Sequence, residues 1–197
     1  MELQDALTQI AHIRKQMARV EWYRGYRAVP VAFSGFLALA VAAWQAIFLP
    51  NPSENVGAYL TLWIATAAVS AAVAGIGMAL RYRETGAMTR LAIEQFFPCV
   101  VAGGLVTLVL VTTVPEAVAL LPGLWAVTFS LGVFASCRLL PGTIGWVGVY
   151  YLVSGLACLA LARGPAALSP WAMAVSFGGG QLLTAAILYR AMERGTD

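Results

Sequence analysis

The side chains able to do chemistry are few, and their spacing excludes more than it assigns. His12 is the one histidine in 197 residues, and it sits in a polar N-terminal stretch. A bis-histidine haem, or a zinc site with two or three histidines, therefore has no ligand set within one chain. A serine nucleophile in an apolar segment has no histidine base beside it. Cys99, Cys137 and Cys158 fall in apolar stretches and form no CxxC or other ligand spacing, so they read as small buried hydrophobes. No Asp, Glu, Lys or Arg falls inside a long apolar segment, whereas proton relays and ion paths are usually marked by such groups. Glu94 and Glu116 bracket one segment; Glu94 with Gln95 reads as a solvated segment end, or else as the lining of a cytoplasmic cavity. These residues predict no catalytic group, no metal site and no cofactor.

What remains inside the apolar segments is neutral: serines, threonines, Gln45 and Gln181. Such groups bond a helix carbonyl or a neighbouring helix, or else line a path for water or a neutral solute. The most unusual feature is Gly178-Gly179-Gly180 followed by Gln181. One reading is a broken helix beside a cavity. The other is a close packing face with Gln181 bonded to a neighbour, since glycine is common where membrane helices touch.

The other functional handle is the N-terminal stretch. Leu3, Ala6, Ile10, Ile13, Met17 and Val20 alternate at spacings of three and four, the a/d seam of an amphipathic helix. Arg14, Lys15 and Arg19 add positive charge near the first apolar segment. The seam has three possible covers: a partner protein or second copy, the headgroup layer of anionic lipid, or the chain's own bundle. His12 belongs to its polar side.

These candidates must be carried by membrane helices. Charged residues make up 11% of the chain and mean hydropathy is +0.79, whereas a soluble domain carries about 25% charged residues. Six charge-free windows, 28–53, 55–80, 95–115, 117–137, 139–162 and 164–189, each match or exceed the roughly 20 helical residues needed to cross a bilayer. Backbone in lipid must satisfy its own hydrogen bonds, so each window predicts a helix. Every Lys and Arg except Arg163 falls on the face holding 1–27, 81–94, Arg138 and the tail after 189. The positive-inside rule makes that face cytoplasmic. No nucleic-acid motif is present, so the basic excess serves orientation.

The expected architecture is an all-α integral membrane protein. An amphipathic cytoplasmic helix over 1–27 precedes six spans in three hairpins, with both termini cytoplasmic. The spans are about 29–49, 57–80, 97–114, 118–137, 143–162 and 170–189, and 191–197 form a tail. Ser169-Pro170 predicts an N-cap followed by an N1 proline, and Pro122-Gly123 marks an uncertain start for the fourth span. The second span is rich in alanine and glycine from Ala65 to Ala79, which predicts close approach to its neighbours and a central place. Phe33-Ser34-Gly35 in the first span resembles Val153-Ser154-Gly155 in the fifth, as a parallel duplication of the hairpin would produce.

Two stretches carry a family resemblance: Tyr23-Arg24-Gly25-Tyr26-Arg27 leading to Ser34-Gly35, and Leu121-Pro122-Gly123-Leu124-Trp125 running to Phe134-Ala135-Ser136. With the six-helix plan, they resemble bacterial inner-membrane proteins of uncharacterised function, over most of the chain. The resemblance implies the bacterial inner membrane. It transfers no catalytic or ligand residue, and it implies a partner-binding role through family neighbours that are winged-helix regulators.

Two functions are therefore expected. The first is a non-enzymatic scaffold or sensor that docks a protein partner, or a second copy, through the seam of its N-terminal helix. The second is a small oligomeric channel or transporter for an uncharged or weakly charged solute, with its polar path near Gly178–Gln181.

Overall fold

A computed structural model describes residues 28–79, 87–137, 142–161 and 167–193, and every regular element among them is a helix. In chain order these are α1 (Ala28–Phe48), α2 (Val56–Ala79), α3 (Ala87–Thr113), α4 (Leu121–Ser136), α5 (Gly145–Leu161) and α6 (170–193). Turns of 3-10 helix, Pro115–Leu120 and Gly142–Ile144, lead into α4 and α5. Five segments are long and apolar enough to cross a membrane: Ala28–Phe48, Val56–Gly77, Arg90–Thr113, Pro115–Ser136 and Pro170–Arg190. The sixth apolar helix, Gly145–Leu161, is shorter, at 17 residues. Large apolar side chains such as Phe36, Leu108, Val153 and Trp146 stand exposed around the bundle. A bilayer gives such a surface a favourable neighbour. The chain is an all-α, multi-pass membrane protein.

Local chemistry sets the helix ends. Asn51 Nδ2 donates to Glu54 Oε1 at 3.2 Å in the turn after α1, and Asn55 Oδ1 accepts from the Ala58 amide at 3.2 Å to cap α2. Ser169 caps α6 by accepting from the Trp171 amide at 3.3 Å, with Pro170 at the first helical position. The expected break near Pro122 is a change of pitch at Leu121, where the 3-10 turn passes directly into α4. Helix α3 runs straight through Pro98, which cannot donate to the Glu94 carbonyl one turn back.

Packing follows the hairpins only in part. The two most extensive interfaces join α1 to α6 and α4 to α5, and the next joins α3 to α4. Helix α1 lies along α6 more extensively than along α2, whereas α5 and α6, consecutive in the chain, touch less than either touches another helix. Two buried clusters anchor the ends of the bundle. One gathers Ala42, Tyr59, Trp63, Val118, Leu121, Leu168 and Met173, and the other gathers Ala28, Val31, Ala126, Val133, Ile144, Val147, Tyr151 and Leu188.

The expectation of a central α2 is overturned. Helix α2 packs chiefly on α1, and α3 chiefly on α4 and the turn before it; α2 and α3 are the least buried of the long helices and share no packed interface. Small residues permit close approach but do not supply a partner. Here many of them face open space, and a Cβ added at Gly75 would meet nothing within 4 Å. The Ser-Gly pairs of α1 and α5 do share a local arrangement. Ser34 and Ser154 donate to the carbonyls of Val31 and Tyr151, and both glycines are buried.

Candidate functional site: a cavity between the loose helices

The space left between α2 and α3 is a cavity of about 530 Å³, within the range that holds a drug-sized molecule. Five helices line it, each through one face at helical spacing. Helix α1 contributes Pro30, Val31, Ser34 and Ala38, and α2 contributes Trp63, Ile64, Thr66, Ala67, Ser70, Ala71 and Ala74. From α3 come Phe96, Cys99, Val100, Gly103, Gly104 and Thr107; from α4, Trp125, Thr128 and Phe129. Met173, Phe177 and Gln181, one turn apart on α6, complete the wall. No charged side chain lines it among the described residues.

Its aromatic side is rigid. Phe129 sits 4.8 Å from Phe96 and 5.7 Å from Phe177, ring centre to ring centre, both edge-on, and 4.6 Å from Tyr151. Such pairs add to simple burial and hold the rings in one arrangement. Trp125 Nε1 donates to Thr107 Oγ1 at 2.7 Å, and that hydroxyl donates to the Gly103 carbonyl at 2.7 Å, tying α4 to α3. Above the cavity, Gln45 is fully buried. Its Nε2 donates to the Leu168 carbonyl at 2.9 Å and its Oε1 accepts from Trp63 Nε1 at 2.8 Å. One amide thus clasps α1, α2 and the turn before α6.

The neutral polar groups sort cleanly. Most bond their own helix: Thr66 to Leu62, Thr128 to Leu124, Thr184 to Gly180, and Ser176 to Ala172. Ser136 crosses to the Ala92 carbonyl at 2.8 Å, joining α4 to α3. Of the Ser, Thr and Gln side chains in the spans, four make no hydrogen bond among the described residues. They are Thr61 and Gln95, which are exposed, and Ser70 and Gln181, which both line the cavity. Gln181 is half-buried and its amide atoms stay accessible, so a ligand or water can reach them.

The glycines beside it do something else. Gly178, Gly179 and Gly180 are absent from the cavity wall. A Cβ at Gly178 would come within 2.8 Å of Leu39, one at Gly179 would strike the Tyr150 hydroxyl, and one at Gly180 would strike the Tyr151 ring. They are packing faces toward α1 and α5. Helix α6 does depart from α geometry here, widening into a π turn over Ala174–Gly179, a form often met at functional sites. Tyr150 holds that turn by donating to the Val175 carbonyl at 2.6 Å. Of the four residues expected at a cavity, Gln181 lines it and the glycines allow α6 to lie where Gln181 can.

Other candidates fall elsewhere. Cys99 lines the cavity, Cys137 donates to the Phe134 carbonyl at 3.0 Å, and no grouping of His, Cys, Asp or Glu among the described residues is placed to hold a metal. Glu94 and Gln95 lie on an exposed part of α3 away from the cavity, with Glu94 3.8 Å from Arg90 one turn back. The seam Leu3, Ile10, Ile13, Met17 and Val20, with Arg14, Lys15 and Arg19, lies outside the described residues. The wall contributed by α2 and α3 went unnoticed in the sequence. Its signal is the i, i+3, i+4, i+7 run Phe96, Cys99, Val100, Gly103, Gly104, Thr107, which mixes small and polar residues on one helix face.

No family model matches the chain, and neither a curated protein nor a solved structure matches it.

Proposed function

We propose that this chain is a non-enzymatic membrane module that binds an uncharged, weakly polar molecule inside its helical bundle. The observation that carries this reading is the unpaired Gln181 amide on the wall of a cavity of about 530 Å³ that no charged side chain lines among the described residues. A cavity kept only by imperfect packing would be apolar throughout. This one has Gln181 and Ser70 on its wall, both without a hydrogen-bond partner among the described residues, and rings held by one another on the other side. An ion would find no counter-charge there, and the tightly packed α4–α5 side leaves transport no second polar wall.

We further propose six spans with both ends in the cytoplasm, in a bacterial inner membrane, on the strength of the Lys and Arg distribution and the resemblance described above. In this reading α5 crosses as the short fifth span. The N-terminal seam from Leu3 to Val20 is the proposed output, docking a protein partner or a second copy.

Native mass spectrometry of the protein released from its own membranes tests the binding reading. A neutral adduct is expected on the unaltered chain and is expected to be lost in Gly104→Phe, which fills the cavity from a position where added atoms meet nothing within 4 Å. Equal spectra for the two proteins, with no adduct on either, would remove it.

A further inference from the structure

The mouth of the cavity points to the class of ligand and its route. Ile64, Ala67 and Ala71 on α2, and Val100 and Gly104 on α3, line the cavity and are exposed. Ile64 is 52% exposed and Val100 54%. These five residues are the facing rims of α2 and α3, which share no packed interface. All are apolar, and all lie well inside segments long enough to span. A mouth so placed opens on lipid.

The interior has two unlike ends. Met173 and Gln181 stand roughly two turns apart along α6, across its π turn. Trp63, Trp125 and Met173 lie toward one end, with the Gln45 clasp behind Trp63. Gln181 stands at the other. Ser70, one turn beyond Thr66 on α2, is the second polar group of the wall without a hydrogen-bond partner.

We infer that the cavity takes an uncharged amphiphile dissolved in the bilayer, which enters sideways between α2 and α3, sets one hydroxyl or carbonyl on Gln181, and lays its apolar chain toward Trp63 and Trp125. This inference rests on the binding reading above and goes beyond it in route and chemistry. The amide offers both a donor and an acceptor, so it matches a hydroxyl or a carbonyl. A charged head would be left without a counter-ion in a low-dielectric site. Entry from water would require a polar mouth, and the rim has none.

The two tryptophans report the test. In a full-length chain with Trp22, Trp44, Trp146 and Trp171 replaced by Phe, emission comes from Trp63 and Trp125 alone. The protein is placed in dioleoylphosphatidylcholine vesicles and titrated with 11-bromoundecanol, with 1-bromoundecane, and with acrylamide in the water phase. The alcohol is expected to quench with saturation, and the bromoalkane about fivefold more weakly, the ratio one hydrogen bond supplies. Gln181→Leu is expected to bring the alcohol down to the alkane. Gly104→Phe, and Gly103→Leu as a second plug in open space, are expected to abolish saturation while far-UV circular dichroism stays unchanged. Acrylamide is expected to change the emission little. Quenching by acrylamide as deep as by the alcohol would overturn sideways entry and leave the binding reading intact. Equal saturation by alcohol and alkane, unchanged in Gln181→Leu, would overturn the head-group assignment. No saturable quenching by any probe would remove both the inference and the reading beneath it.

Discussion

The two sides of this bundle use glycine in opposite ways. Where α4 crosses α5, the backbones nearly touch. A Cβ at Gly123 would come within 2.6 Å of Leu159 and 2.8 Å of the Gly155 carbonyl, one at Gly155 within 2.9 Å of the Val127 amide nitrogen, and one at Gly148 within 2.6 Å of the Phe134 ring. Gly132 does the same toward α3, 2.7 Å from Phe96. On α2 and on the middle of α3, Gly57, Gly75, Gly103 and Gly104 meet nothing within 4 Å. The first set spends its missing side chain on dispersion contact between helices, the main attraction available in lipid. The second leaves the space empty, and part of that space is the cavity. Identical residues in equally apolar helices therefore serve adhesion on one side and vacancy on the other.

The largest break in this contrast is expected from Gly123→Leu. Forcing a branched side chain between two backbones should cost about 3 kcal/mol or more, and the α4–α5 pair should separate. Gly104→Leu, the matching change on the loose side, should leave the thermal midpoint in detergent near that of the parent. Comparable losses from the two variants would erase the distinction.

Next in size is Gln45→Leu, which strips the Trp63 indole and the Leu168 carbonyl of their partner at once. Leaving two buried polar groups unpaired should cost about 2–3 kcal/mol. Hydrogen exchange should quicken first in α2, because the clasp is its main polar attachment to the core. Uniform quickening across α4 and α5 would argue against a separate loose region.

Thr107→Val cuts the corresponding tether of α3 by removing the acceptor of the Trp125 indole. Hydrogen bonds between membrane helices contribute about 1 kcal/mol, so a chemical-denaturation series should show a loss of that order. A loss as large as that of Gln45→Leu would show α3 to be held by this bond rather than by its packing on α4.

The smallest effect has the opposite sign. Gly104→Ala adds a methyl where nothing stands in its way, and glycine disfavours helix by roughly 0.8–1 kcal/mol relative to alanine. The variant should melt slightly higher than the parent, whereas Gly155→Ala should melt lower. The pair of signs is the most economical check on which glycines are packed.

How much was legible beforehand depends on the range of the interaction. The all-helical membrane class follows from charge-free windows such as 28–53 and 164–189, because a bilayer imposes one length and one backbone solution on any segment that enters it. The Ser169-Pro170 cap is equally local, settled within three residues. Gln181 stood out because an amide in an apolar run needs a partner wherever it lies. The composition of α2, by contrast, misled. Ala67, Ser70, Ala71 and Ala74 would read the same on a central helix as on the wall of a void, since a small side chain does not say whether a neighbour comes to meet it.

The chain's own pattern of charge and apolarity was enough to establish that it is a multi-pass helical membrane protein. Which helices touch was not encoded in any single segment. The preference of α4 for α5, the gap between α2 and α3, and the turning of Gln181 toward that gap while Gly178, Gly179 and Gly180 bear on Leu39, Tyr150 and Tyr151 all depend on shape matching between distant stretches. In lipid, where apolar surface has no water to escape, that matching of shapes decides which faces close and which stay open.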